Sequence, residues 1–185
     1  MNKNANYIRK RLILRKPQED SLYILSELAD KLELKKNCNL EQELEKVKSS
    51  YPTCTDFERD FPSLCFALAT GVGKTRLMGA LIAYLYLEKN IKNYFVLAPN
   101  LTIYNKLITD FSDSSHPKYV FQGIGEFVHN KPVIVTGDNY QYAKTLFDQS
   151  EIRINVFNIS KINAETRGGN IPRIKRLSEY LGESY

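Results

Sequence analysis

The residues best suited to chemistry lie in one glycine-rich stretch that ends in lysine and threonine. It reads Leu68-Ala69-Thr70-Gly71-Val72-Gly73-Lys74-Thr75. Gly71 and Gly73 lack a side chain, so the backbone can wrap closely around a phosphate group. Lys74 can then reach the β- and γ-phosphates of a nucleotide, and the Thr75 hydroxyl is placed to bind Mg²⁺. The stretch therefore predicts a phosphate-binding loop. Its predicted contacts are Thr70, Gly71, Val72, Gly73, Lys74 and Thr75.

The sequence around this loop predicts the elements that hold it. An apolar run at residues 64–68 precedes the loop and is predicted to be a buried strand. After the loop, apolar residues recur at helical spacing, at Leu77, Met78, Leu81, Ile82 and Leu85. Strand, glycine loop and helix in this order favour phosphate binding, because the helix N-terminus adds partial positive charge. The general pattern has glycine in place of Leu68, so the alternative is a glycine-rich turn followed by an unrelated Lys-Thr pair.

Composition indicates one globular domain, with room for an appendage. The chain has 185 residues, 43% of them hydrophobic, and a net charge of +5. No apolar stretch is long enough to cross a membrane and the N-terminus has no apolar signal segment, so we expect a cytoplasmic protein without membrane contact. Cys38, Cys54 and Cys65 lack metal-binding spacing, and we expect reduced thiols, with Cys65 in the core. Basic clusters at residues 9–11 and 15–16 are compatible with a polyanionic partner or with solvated helix faces.

Outside the loop, apolar periodicity predicts alternating helices and strands. Helices are predicted over residues 17–36, from about 40 to 47, after Leu101, over 140–147 and over 174–181. Strands are predicted over residues 94–98, 119–121, 132–136 and 152–157. Because strands alternate with helices, we expect an α/β fold with a mostly parallel sheet flanked by helices. The predicted domains are a helical extension over 1–61, a core over 62–162, and a linker with a terminal helix over 163–185.

Polar or turn-forming residues follow each predicted strand of the core. They are the glycine loop itself, Pro99 with Asn100, Thr136 with Gly137 and Asp138, and Asn158 with Ser160. The carboxyl ends of parallel strands meet at one edge of a sheet, and ligands bind there. We therefore expect these four segments to line one rim of the sheet.

Several of these segments resemble motifs of superfamily 2 helicases and translocases. Residues 69–75 resemble motif I, whose first position also need not be glycine, and residues 95–100 with the following helix resemble motif Ia. Residues 15–18 are similar to the Q motif, and residues 156–161 lie where the family has motif Ic. The closest likeness is to the Res subunit of type III restriction enzymes, over most of residues 12–162. The resemblance implies a RecA-like lobe, incomplete here because the Asp-Glu-x-His box of motif II does not occur, and we expect an N-terminal piece of a longer protein.

The resemblance also implies ligands and residue roles. It implies ATP and Mg²⁺ at the loop, with Lys74 and Thr75 as catalytic groups, and an adenine contact by the amide of Gln18. The implied nucleic-acid contacts are Pro99, Asn100, Thr102 and Ser160. For Gln18, the alternative is an ordinary polar residue in a first helical turn; for the others, it is helix capping or a plain turn. The implied partners are double-stranded DNA and a modification (methyltransferase) subunit.

Three functions stay open from the sequence. The first is the ATP-binding lobe of a DNA-dependent ATPase or helicase-like translocase of a restriction system, which transfers a phosphoryl group from ATP to water. The motif II carboxylate that orients the metal and the water is absent, so we expect the 185 residues alone to be inactive. The second is a non-catalytic nucleotide- or DNA-binding module. The third is a P-loop kinase that acts on a small molecule.

Overall fold

The computed structural model describes residues 2–35, 37–139 and 150–159. The chain divides into two compact units, one before and one after the bond between Tyr84 and Leu85. The predicted helices over 140–147 and 174–181, the predicted linker and Ser160 lie outside the described residues. The predicted domain boundaries stay predictions.

The first unit is built from helices. They are α1 (Lys3–Leu12), α2 (Lys16–Lys31), α3 (Leu40–Ser50) and the first part of α4 (Lys74–Lys89). Helix α2 contacts both α1 and α3. The hydrophobic core of the first unit includes a cluster of four buried residues, Leu28, Leu32, Val47 and Phe57, which we call the α2–α3 cluster. The predictions of α2, α3 and α4 are confirmed, although α4 buries only Leu77 and Ile82 of the five apolar residues that predicted it.

Helix α1 is not predicted by the patterns above, although its local signals are present. The Asn2 side-chain oxygen accepts hydrogen bonds from the backbone N–H groups of Asn4 and Ala5, at 2.9 and 3.2 Å, and so caps the helix. Ala5, Ile8 and Leu12 recur at helical spacing and are buried. With so narrow an apolar stripe, packing against α2 stabilises the helix more than its own sequence does.

Helix α2 ends at Lys31, earlier than predicted. Leu32 is extended, with ψ of 143°, although its N–H still donates to the Leu28 carbonyl at 2.8 Å. The next N–H, that of Glu33, donates to the carboxylate of Glu43 on α3 at 2.8 Å. A bond to the neighbouring helix therefore replaces the next turn of α2, which explains the shorter helix.

The Glu43 carboxylate makes the stability of the first unit depend on pH. Glu43 is 2% exposed and accepts a hydrogen bond from Lys46 Nζ at 2.6 Å. The Lys46 bond, helped by the Glu33 N–H, holds the pKa of Glu43 below its usual value, although burial opposes this shift. A lowered pKa stabilises the folded state above the unfolded-state pKa of about 4.3. This stabilisation is lost as the pH falls through the folded-state pKa.

Glu43→Gln is expected to lower the free energy of unfolding by about 1–3 kcal/mol at neutral pH, because the charged hydrogen bonds are weakened. The difference from the unmodified protein should shrink as the pH is lowered below the folded-state pKa. Urea unfolding followed by circular dichroism at several pH values measures it. Glu45→Gln is the control, since the Glu45–Lys48 pair on the same helix is exposed and should contribute little. A Glu43→Gln cost that is equal at all pH values would contradict the prediction.

Residues 64–68, predicted as a buried strand, have no regular secondary structure, and the prediction is wrong for the described structure. A strand needs neighbours for its backbone hydrogen bonds, and no described strand pairs with this segment. Leu64 packs instead against the α2–α3 cluster. Cys65, predicted to lie in the core, is exposed, because alternate residues of the segment face solvent.

The second unit contains a three-stranded parallel sheet. Its strands are β1 (Asn93–Ala98), β2 (Val133–Thr136) and β3 (Arg153–Asn158), and its helices include α5 (Leu101–Ser112) and α6 (Gly125–His129). The strand order is β1-β3-β2, and Arg153 aligns with Asn93 on one side and with Val133 on the other. Helix α5 contacts all three strands. These strands and α5 confirm the sequence predictions, and the burial of the central strand β3 is typical of parallel sheets.

Residues 119–121, predicted as a short strand, form turns, so this prediction is also wrong. All three side chains are buried. The Phe121 ring stacks on the Phe127 ring with centroids 4.1 Å apart, and the Val120 N–H donates to the Asp110 carbonyl at 2.9 Å. The apolar run therefore reflects packing of side chains in an aromatic cluster and not strand pairing.

The α/β fold with a parallel sheet flanked by helices is confirmed, and it is consistent with part of a RecA-like lobe. Within residues 2–35, 37–139 and 150–159, no helix combines the length and the apolar character needed to cross a bilayer. The same residues contain no group of three or more His, Cys, Asp or Glu side chains that could hold a metal ion.

Candidate functional site

The glycine loop lies in the first unit and leads directly into α4. Gly71 and Gly73 have left-handed backbone conformations, with φ of 82° and 96°, which residues with a side chain rarely adopt. Helix α4 begins at Lys74, and the Leu77 N–H donates to the Gly73 carbonyl at 3.1 Å. Lys74 and Thr75 therefore occupy the first turn, at the positive end of the helix dipole.

The glycine loop is partly open to solvent. Thr70, Gly71 and Lys74 are exposed, and Val72, Gly73 and Thr75 are half-buried. A Cβ atom built at Gly71 would meet no atom within 4 Å. The loop backbone is therefore accessible from solvent at Gly71.

The side chain of Gln18 ties α2 to this loop. Its Nε2 donates to the Gly73 carbonyl at 2.8 Å, and its Oε1 accepts from the Arg15 backbone N–H at 2.8 Å. Gln18 is only 2% exposed. A Cβ atom at Gly73 would lie 2.6 Å from Gln18 Nε2. The backbone conformation therefore favours glycine at position 73, and a side chain there would also displace the Gln18 amide from its bond to the Gly73 carbonyl.

Two arginine side chains add bonds that the sequence analysis missed. Arg15 Nη1 donates to the Gly71 carbonyl at 3.2 Å, and Arg76 Nη1 donates to the Leu12 carbonyl at 2.8 Å. Together with Gln18, they attach the turn between α1 and α2 to the loop and to the start of α4. We call these three side chains the loop clasp. For Arg15, its place in residues 15–18, which are similar to the Q motif, could have indicated a role at the loop. No sequence pattern indicated such a role for Arg76.

In the second unit, three of the predicted strand-end segments share one edge of the sheet. Asn100, Asp138 and Ile159 follow the carboxyl ends of β1, β2 and β3, which run parallel. The glycine loop belongs to the first unit, and the strand expected before it is not formed. Its place on the same rim therefore stays a prediction.

The residues predicted to contact nucleic acid differ in whether their side chains already make hydrogen bonds within the protein. Pro99, Asn100 and Thr102 are exposed. Asn100 is the N-cap of α5, and its side-chain oxygen accepts from the Ile103 N–H at 2.9 Å, so capping already employs that atom. Ser160 lies outside the described residues.

The segment after β2 is a turn. The Asn139 side-chain oxygen accepts from the Thr136 N–H at 2.6 Å, and the Asp138 N–H donates to Thr136 Oγ1 at 3.3 Å. Asn139 Nδ2 also donates to the Ile134 carbonyl at 3.0 Å. These bonds are turn chemistry and explain the residue types without a ligand.

The fold and the loop define a class of protein: an α/β protein in which a glycine-rich loop enters a helix through lysine and threonine. The family model described as "Type III restriction enzyme, res subunit" matches residues 12–182. The chain belongs to this family, and the family resemblance drawn from the sequence is confirmed.

One relative is the "Probable type III restriction-modification enzyme HindVIP Res subunit" of Haemophilus influenzae (strain ATCC 51907 / DSM 11121 / KW20 / Rd). It is 37% identical to this chain over 70 residues. The match covers 34% of this chain and 13% of the relative, so the chain spans only a small part of that protein. No solved structure matches the chain significantly.

Proposed function

We propose that this chain binds ATP with Mg²⁺ at the glycine loop and serves as the nucleotide-binding part of a DNA-dependent ATPase of a type III restriction system. One observation carries the proposal. An exposed loop with two left-handed glycines is held by the loop clasp, so that Lys74 and Thr75 stand in the first turn of α4. Family membership supports double-stranded DNA as the polymer and a modification (methyltransferase) subunit as the partner.

The residue roles in this proposal follow from their chemistry. The Lys74 ammonium neutralises charge on the β- and γ-phosphates, and backbone N–H groups of the loop surround them. The Thr75 hydroxyl is an oxygen donor, which fits Mg²⁺, a cation that takes oxygen ligands. When bound, the metal neutralises phosphate charge during phosphoryl transfer to water.

Gln18 has a double role in the proposal. Its amide has two N–H groups and its oxygen two lone pairs, and the bonds to Gly73 and Arg15 use one of each. The remaining N–H and lone pair suit the edge of adenine. Because Gln18 is 2% exposed, this contact requires the free N–H and lone pair of its amide to become accessible when ATP binds, while its bonds to Gly73 and Arg15 are kept.

The nucleic-acid contacts remain part of the proposal. Pro99, Asn100 and Thr102 are exposed at the carboxyl end of β1 and at the N-terminus of α5, where backbone N–H groups favour phosphate. Ser160 is assigned the same role from the family resemblance alone.

Thr75→Val tests the proposed site, because it keeps the size of the side chain and removes the hydroxyl. We expect the affinity for a fluorescent ATP analogue to fall about tenfold, or about 1.4 kcal/mol, in the presence of Mg²⁺. In EDTA, the variant and the unmodified chain should bind alike. Thr109→Val, which removes an exposed hydroxyl from α5, is the control. If neither Mg²⁺ nor the Thr75 hydroxyl changes the affinity for the ATP analogue, the assignment of Thr75 as a Mg²⁺ ligand is refuted.

A further inference from the structure

Helix α1 has a basic face that the glycine loop does not use. Lys3, Tyr7, Lys10 and Arg11 lie at helical spacing on one side. Lys3, Lys10 and Arg11 are exposed, and the guanidinium carbon of Arg11 lies 5.6 Å from the centre of the Tyr7 ring. The helix contains four cationic residues and no acidic residue.

The lysines of helices α2 and α3 are paired differently from those of α1. Every lysine of α2 and α3 forms an ion pair with an acidic residue of its own helix. The pairs are Lys16–Asp20 at 2.6 Å, Lys31–Glu27 at 2.7 Å, Lys46–Glu43 at 2.6 Å and Lys48–Glu45 at 2.9 Å. In the described part of the chain, no carboxylate pairs with Lys3, Lys10 or Arg11, and of the α1 cations only Arg9 has one, with Glu19 at 3.6 Å. Among α1, α2 and α3, the cations without a carboxylate partner are therefore concentrated on α1.

Helix stability explains only part of this charge. Cations in the last turn are stabilised by the negative end of the helix dipole, which accounts for Lys10 and Arg11. Lys3 lies in the first turn, where the dipole is positive and no acidic residue is present, so its charge is unfavourable there. A bound polyanion would stabilise all three cations.

We propose that Lys3, Lys10 and Arg11 form a surface that binds the phosphate backbone of double-stranded DNA, called the α1 basic face. Eight residues separate Lys3 from Arg11, which is about 12 Å along the helix. That length matches about three phosphates of one DNA strand. An anionic membrane fits less well, because the apolar residues of α1 face the protein interior. The proposal does not depend on nucleotide binding at the glycine loop.

Neutralising the α1 basic face tests the proposal with the full chain. The probe is a fluorescein-labelled duplex of about 30 base pairs and arbitrary sequence, titrated between about 50 and 200 mM salt. K3Q/K10Q/R11Q is expected to weaken binding at least about tenfold at low salt. It should also reduce the slope of log K against log salt by about 0.9 for each lost contact, or about 2–3 in total.

Two further variants separate local contact from net charge. K31Q/K35Q/K48Q removes three lysines of the first unit that stand in exposed ion pairs, so the net charge falls equally. It should change the affinity less than about threefold and leave the salt slope nearly unchanged. K3R/K10R/R11K keeps the charge and should bind DNA like the unmodified chain.

Several results would overturn the proposal. They are an equal loss of affinity in both neutralised variants, an unchanged salt slope in K3Q/K10Q/R11Q, and absence of duplex binding by the unmodified chain. Loss of binding to phosphatidylserine-containing vesicles with duplex binding retained would assign the face to membranes instead. Binding of the ATP analogue, measured on the same samples, should be the same for all variants. If no sample binds the analogue, the proposed nucleotide site is refuted, and the DNA titrations alone then decide whether the α1 basic face binds DNA.

Discussion

Lys74→Ala is expected to weaken binding of ATP about 10- to 100-fold, a loss of about 1.4–2.8 kcal/mol. Lys74 is exposed in the first turn of α4, directly after Gly73, and its ammonium is the charged side chain that the loop offers to a polyphosphate. A hydrogen bond between charged groups contributes about 1.5–3 kcal/mol, which sets the size of the expected effect. Equilibrium titration with a fluorescent ATP analogue measures it.

Lys89→Ala is the matched control for this experiment. Lys89 is the last residue of the same helix, so its loss changes the net charge equally at the far end of α4. It should leave ATP affinity within about twofold, since solvent and salt largely screen charges that lie more than about 10 Å apart. The loop assignment fails if both variants bind ATP equally well. Unchanged melting temperatures by circular dichroism would show that the fold is intact.

Gly73→Ala is expected to have the largest effect on stability, about 2–5 kcal/mol in the free energy of unfolding. Alanine at φ of 96° costs about 1–2 kcal/mol in backbone strain. Its Cβ would also lie 2.6 Å from Gln18 Nε2, which must move and give up its bond to the Gly73 carbonyl. The buried amide then lacks a partner, which costs about 1–3 kcal/mol more. Urea unfolding measures the change.

Gly71→Ala separates the cost of backbone strain from the cost of the contact with Gln18. Gly71 has a similar φ of 82°, but a Cβ there meets no atom within 4 Å. We expect a cost of only about 1–2 kcal/mol, the strain contribution alone. A double-mutant cycle with Gln18→Ala should show coupling to Gly73→Ala and none to Gly71→Ala. Equal costs for the two glycine variants would show that Gln18 does not constrain the loop.

The loop clasp gives the candidate site its most specific physical feature. A phosphate loop is effective when its backbone is held in the binding conformation before the ligand arrives, because less ordering is then needed on binding. Gln18 and Arg15 bond to the carbonyls of the two left-handed glycines, at 2.8 and 3.2 Å. The clasp therefore supports the loop through the residues whose conformations are most unusual. Weakening it should reduce ATP affinity without removing any group that touches phosphate.

Local sequence determined the elements whose formation depends on near neighbours. Helices α2 and α4 and strands β1, β2 and β3 follow from apolar periodicity, and the loop itself from glycine, lysine and threonine at fixed spacing. Asn100 as a helix cap and the turn after β2 follow from side chains that bond to backbone within a few residues. The residues in these interactions are close in sequence, so little chain entropy is lost when they meet. A local sequence pattern is therefore enough to predict them.

Tertiary structure decided what depends on partners far away in the chain. Helix α2 ends because Glu33 bonds to Glu43, and residues 64–68 are not a strand because no described strand pairs with them. The family resemblance singled out Gln18, but its bond to the Gly73 carbonyl joins residues 55 positions apart. Side chains such as Arg15 and Gln18 have several possible partners of similar energy, and only the tertiary placement of the α1–α2 turn beside the glycine loop selects one. Packing of α1 against α2 turns the apolar face of α1 to the core and leaves most of its cations on the surface.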